Sequence, residues 1–238
     1  MSAVHVLRVF CAEDGSGGNH LGVFLDGAAI AEPDRQAIAH ELGFAETVFV
    51  DDRERAELRI FTPETELPLA GHPLVGTAWL LREQGTPAET LRPPAGEVSV
   101  RFEGGLAFIA ADPEWGPKWE LIELDTPEEI DQLTGPPEGE GLACMWSRMP
   151  GSDSTIRVRV FGPEAGVTED EATGSAALRL AAQLGTPIQI RQGPTAGSLI
   201  YARPLDARRA EVGGVVALDE VREMHAELSG PPETRTQI

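Results

Sequence analysis

Two stretches of the chain, separated by one hundred positions, share a pattern, and this repetition restricts the possible fold more than any other feature. RIFTPETELPLAGHPLVGTAWLLREQG runs from Arg59 to Gly85, and RVFGPEAGVTEDEATGSAALRLAAQLG runs from Arg159 to Gly185. Superposed without a gap, they match at Arg59/Arg159, Phe61/Phe161, Pro63/Pro163, Glu64/Glu164, Leu80/Leu180 and Gly85/Gly185, six identities in 27 positions. Each copy opens with alternating residues ending at Phe61 or Phe161, the signature of a strand. Each then breaks at a proline, which cannot donate to a sheet ladder. A polar loop and small residues lead into an apolar helix closed by glycine. The helices carry Leu74, Ala78 and Leu81, and Ala177, Leu180, Ala181 and Leu184. They are apolar on all sides, so the pattern predicts two buried helices.

Strand-like, Gly- and Pro-punctuated sequence follows each helix, LRPPAGEVSVRFEGGLAFIA after the first and IQIRQGPTAGSLIYARP after the second. A strand–loop–buried helix–hairpin unit therefore occurs twice. The expectation is an α/β (α+β) protein of two similar halves, residues 1–112 and 113–228, with a loose polar tail at 229–238. Upstream, EPDRQAIAHELG reads as a helix with Pro33 near its start and Gly43 at its end, and FAETVFV as a strand. Asp112 to Pro150 shows no clear period.

Bulk properties remove several functions. The net charge of −20 opposes binding to a phosphate backbone, and no nucleic-acid partner is expected. A carboxylate ligand would need local help from backbone N–H groups or a helix N-terminus. No apolar run approaches a membrane span, and MSAVHVLRVF lacks the long apolar stretch of a signal peptide. Cys11 and Cys144 form neither a CxxC pair nor a disulfide framework, which fits a cytoplasmic protein. His5, His20, His40, His72 and His225 are scattered without HxxxH or HxH spacing, so no metal site is expected. GSGGNHLG matches neither a P-loop nor a dinucleotide fingerprint.

The chemistry must then come from loops and helix starts. Gly71-His72 opens one helix and Ala172-Thr173-Gly174-Ser175 the other. If the halves are related by a pseudo-twofold axis, both starts can converge on one cleft, where free N–H groups favour a carboxylate. Tight turns would use the same glycines. His72 could move a proton or merely cap its helix. Asp170 could serve the helix dipole or the chemistry. Glu46, flanked by apolar residues, lies either on a solvent face, as strand alternation suggests, or in a desolvated site with a raised pKa.

FTPETELPLAGHPLVGTAWLL, FAETVFV, GGNHLGVF and GPEAGVTEDEATGSAALRLAAQLG resemble the signature segments of the PhzF-like phenazine-biosynthesis isomerases, in order and spacing over roughly residues 4 to 216. The resemblance implies a diaminopimelate epimerase-like fold, each half a curled sheet around one central helix, with the active site in the cleft between them. It also implies a homodimer, no cofactor, and movement of a proton or double bond in a small unsaturated carboxylic acid. Carried over by motif, Glu46 is the proton shuttle, His72 and Asp170 polarise the substrate, and Asn19, Gly71, Gly174 and Ser175 bind it.

This sequence departs from the family pattern at several points. Ala45 stands where the family has Ser, His20 where it has Pro, and the Gly-Arg pair expected after Gln192-Gly193 is missing. The chain is also shorter, mainly after Ile109. Such loops shape pockets, so the resemblance carries the reaction type and not the phenazine step itself. A carboxylate-binding homologue without turnover is one alternative. An amino-acid epimerase is another, and it would need a thiol before each helix.

Overall fold

The computed structural model describes residues 2–136, 141–163 and 167–224; the expected tail at 229–238 lies outside them. Its first part runs β1 (Ser2–Cys11), β2 (Asn19–Phe24), α1 (Glu32–Leu42), β3 (Glu46–Asp52), β4 (Glu57–Phe61), β5 (Glu66–Leu67), α2 (Gly71–Glu83), β6 (Thr90–Leu91), β7 (Val98–Glu103) and β8 (Leu106–Ala111). The second part runs β9 (Glu120–Glu123), α3 (Pro127–Asp131), β10 (Ala143–Arg148), β11 (Thr155–Gly162), β12 (Val167–Asp170), α4 (Gly174–Leu184), β13 (Ile188–Gln192), β14 (Ser198–Pro204) and β15 (Ala210–Met224). The fold is mixed α+β, with few helices and one extensive sheet.

Strand pairing exposes the duplication. A helix links the parallel pair β2 and β3, and another links the parallel pair β9 and β10. Antiparallel β3–β4 and β4–β5 correspond to β10–β11 and β11–β12. The chain then crosses over through α2 or α4 and returns parallel to the strand it left. In the second part β11 pairs with β13, and in the first a single bridge joins Glu57 to Arg92 beside β6. Antiparallel β6–β7–β8 matches β13–β14–β15. The long β15 joins the parts, pairing with β8 and β14 through its first residues and with β1 through its later ones.

The repeated residues do equivalent work. Arg59 grips the Glu66 carboxylate and lies over the Phe61 ring, while Arg159 grips Glu169 with two hydrogen bonds of 2.6–2.7 Å and lies over Phe161. Such paired guanidinium–carboxylate bonds fix geometry as well as charge. The two glutamates are 103 positions apart, as are the helix starts Gly71 and Gly174. The ungapped register of the sequence comparison therefore fails here. The second loop is three residues longer, and α4, with 11 residues against 13 in α2, ends early enough to restore the match at Gly85 and Gly185.

Both central helices are buried, as their all-round apolarity requires. In α2 Leu74, Leu80 and Leu81 have no exposed surface, nor do Leu178 and Leu180 in α4. Each contributes roughly 1.5–3 kcal/mol of burial free energy. Strands β1, β2, β3, β8 and β15 contact α2, and β14 and β15 contact α4. The helices meet each other at their N-termini. A Cβ built on Gly71 would lie 2.7 Å from the Gly174 Cα, and one on Gly174 would lie 2.8 Å from the Gly71 Cα. Only a pair of glycines permits this approach.

The formless stretch from Asp112 to Pro150 contributes a 3-10 turn at Pro113–Trp115, together with β9, α3 and β10. No described helix is long and apolar enough to cross a membrane.

Gly71→Ala or Gly174→Ala must push the helix ends apart. Either should cost about 1–3 kcal/mol, seen as a lower denaturant midpoint at unchanged slope.

Candidate active site

A cavity of about 260 Å³ opens where the two helix starts meet, and Glu46, His72, Asp170, Gly71, Gly174 and Ser175 all line it. Each arrives on a different piece of backbone. Glu46 is the first residue of β3, His72 the second of α2, and Asp170 the last of β12. Neither Ala70 nor Thr173, the N-cap residues, makes a side-chain capping bond. The first N–H groups of both helices are left for a ligand. The Leu74 N–H bonds the Ala70 carbonyl and the Ala177 N–H bonds that of Thr173, so the free donors are those before these positions.

Asn19 takes a different place from the one expected. It is absent from the cavity wall and stands behind Asp170, with its amide donating to Asp170 Oδ1 at 2.6 Å. The Thr173 hydroxyl donates to Asp170 Oδ2, also at 2.6 Å. Gln192 completes the support. Its amide N–H donates to the Asp170 carbonyl at 2.9 Å and to Thr173 Oγ1 at 2.8 Å, and its Oε1 accepts from the Thr173 N–H at 3.1 Å. Thr173, Gln192 and the cavity-lining Trp119 are not among the site residues expected from the sequence. The Gln192-Gly193 match was the one trace of the second, while Trp119 sits in the stretch without a period.

Glu46 and His72 are differently placed. Glu46 Oε2 and His72 Nε2 lie 3.2 Å apart, but the ring geometry does not direct a hydrogen bond along that line, and neither atom has another partner among the described residues. His72 is 3% exposed, whereas Glu46 keeps 15% of its side-chain surface open to the cavity. Burial pushes Glu46 well above the usual carboxylate range, and the nearby Asp170 charge adds to the effect. Asp170 is raised to about 6, again by burial, against the pull of its bonds from Thr173 and Asn19. Burial lowers His72 to about 3, against a backbone hydrogen bond with His20.

These environments divide the two coupled acids. Both Asp170 oxygens receive strong donors, which favour the anion, while Glu46 Oε2 receives none. The first proton of the pair therefore rests on Glu46, and His72 stays neutral near pH 7.

The family model for phenazine biosynthesis-like proteins (PhzC-PhzF) matches residues 7–133. The trans-2,3-dihydro-3-hydroxyanthranilate isomerase of Pseudomonas fluorescens is 30% identical over 83% of this chain and 90% of its own length. The chain belongs to the phenazine biosynthesis-like family. It is an isomerase of that family. In fold it is similar to a phenazine biosynthesis PhzF-family protein of Enterococcus faecalis, at 23% identity and a TM-score of 0.78 over 94% of this chain and 100% of the other. It is also similar to a hydroxyproline epimerase of Agrobacterium vitis, at 12% identity and a TM-score of 0.61 over 93% and 91% of the two chains. The architecture is thus shared by PhzF proteins and epimerases.

For this isomerase the buried His72 has a signed effect on stability. Its folded pKa of about 3 lies below the reference 6.5, so the unfolded chain binds a proton that the native site refuses. The contribution is complete above 6.5 and is lost as pH falls toward 3. Asp170, raised from 3.8 to about 6, has the opposite sign and loses its contribution as pH rises through that range. The two effects overlap, so the informative quantity is the difference between wild type and His72→Gln. That difference should shift against wild type by about 2 kcal/mol between pH 6.5 and 4.5 in urea titrations.

Proposed function

We propose that this isomerase moves a proton between carbons of a small unsaturated carboxylic acid, with Glu46 as the shuttle and no cofactor. The observation that carries the reading is an unpartnered Glu46 oxygen in a cavity, 3.2 Å from His72 and within the electrostatic reach of Asp170. A carboxylate wanted only for binding or structure would be expected to have a donor, as Asp170 has.

In this reading the substrate carboxylate sits at the starts of α2 and α4. When ionised Glu46 removes a proton from a carbon conjugated to that carboxylate, negative charge spreads onto the carboxylate oxygens. The N–H groups of Gly71, His72, Gly174 and Ser175 meet it there, already oriented and needing no reorganisation. Glu46 then returns the proton to a second carbon on the same face. Its raised pKa makes it a stronger base than a solvated glutamate and keeps the proton close between the two transfers. His72, held neutral, orients Glu46 without adding a charge. Asp170, pinned by Asn19 and Thr173, sets the potential at Glu46.

A two-thiol epimerase reading finds no support in the residues. The positions just before the helices are Ala70 and Thr173, and neither cysteine lines the cavity. Cys11 and Cys144 are buried, which raises both thiols, Cys144 to about 12.

The test is incubation in deuterated water with trans-2,3-dihydro-3-hydroxyanthranilate, the compound in the relative's name, and with related unsaturated acids. Deuterium at carbon is expected, and Glu46→Gln should slow its entry about 10²–10⁴-fold without loss of fold. The wild-type kcat/KM should rise with pH through a value above the ordinary carboxylate range, because only ionised Glu46 accepts the proton. Undiminished exchange in a folded Glu46→Gln protein would assign the base to another residue.

A further inference from the structure

One wall of the cavity carries two side chains, those of Trp119 and Ser175, that the proposed chemistry leaves unused. Trp119 follows the 3-10 turn and lines the cavity, as does Leu67 of β5. Its indole Nε1–H donates to Ser175 Oγ at 2.9 Å. Ser175 is the second residue of α4 and only 7% exposed. Behind it Gly116 closes the space, since a Cβ on Gly116 would stand 3.2 Å from the Ser175 Cβ.

An indole N–H can only donate, while a serine hydroxyl has one proton and two acceptor lone pairs. Trp119 therefore occupies an acceptor site of Ser175 Oγ and leaves the hydroxyl proton to find an acceptor elsewhere. Among the described residues it has none, and the side chain lines the cavity. We propose that Trp119 is a positioning residue that turns the Ser175 hydroxyl into an obligate donor toward the substrate carboxylate at the start of α4. The proposal rests on the carboxylate placement argued above and adds a side-chain donor to the backbone ones. It accounts for how a protein of net charge −20 holds an anion in a cavity with no Lys or Arg among the described residues of its wall.

Trp119 also borders a second cavity, lined by Arg179 and Leu121 among others, so its ring is a partition between two spaces. Truncation to alanine would join them and confuse the result. Trp119→Phe keeps an aromatic ring in the partition while removing the N–H.

Binding of anthranilate, a planar carboxylic acid, measured by calorimetry separates this proposal from the proton-transfer reading, because binding requires no turnover. Aniline, without the carboxylate, is the control, and Glu46→Gln should bind anthranilate even where it abolishes exchange. Trp119→Phe and Ser175→Ala should each weaken anthranilate binding roughly tenfold. The double variant should be no weaker than Ser175→Ala, since the indole acts only through the hydroxyl. Aniline binding and thermal midpoints should stay unchanged. Unaltered anthranilate affinity in Trp119→Phe, losses that multiply in the double variant, equal losses for aniline, or failure of wild type to bind anthranilate more tightly than aniline would each overturn the proposal.

Discussion

The contact between Gly71 and Gly174 is the constraint from which the rest of the site follows. Two helices normally approach each other across their side chains. Here they touch end to end, at the one position in each where no Cβ intervenes. Placing both N-termini at one spot brings two sets of unsatisfied N–H groups and two positive dipole ends to the same cavity. The strand preceding each helix must then run in beside the contact, which carries Asp170 to the wall from one half. Duplication supplies a second helix start of matching form, so one structural unit used twice builds a site that neither copy contains alone.

The site achieves electrostatic contrast with few charges. Asp170 and Glu46 are both desolvated, yet one receives donors on both oxygens and the other has an oxygen without any. Hydrogen bonding decides which member of the coupled pair carries the charge, and the neighbour's charge then holds the proton on Glu46. The supporting layer formed by Asn19, Thr173 and Gln192 accordingly shapes where the charge of the pair resides, although Asn19 does not reach the cavity. His72 extends the arrangement. Buried and neutral, it touches Glu46 without introducing a cation that would pull the glutamate toward ionisation.

Much of this was readable in the chain because the repeated unit is local. Strand, proline, polar loop, glycine and apolar helix are short-range patterns. Arg59 and Arg159 keep their places because each pairs with a carboxylate only a few residues away. The ungapped register fails from the loop through α4 because a longer loop and a shorter helix offset each other, leaving the outer identities aligned. The segment from Asp112 to Pro150 stayed unreadable because its strands take their character from partners. Strand β9 has only Glu120–Glu123, and its pairing with β10 is made across a crossover.

The sequence by itself determined the duplication, the burial of two apolar helices and the family, all of which rest on patterns within a few dozen residues. Glu46 shows where that reach ends, since alternation along β3 cannot tell which side of a strand end will face a cavity. Its desolvation, the placement of Asn19 behind Asp170 and the bond from Trp119 to Ser175 were decided only by tertiary structure. Each depends on groups brought together from opposite halves of the chain or from separate loops. Desolvation and hydrogen-bond partnership are properties of that assembled surrounding and are not encoded at any single position.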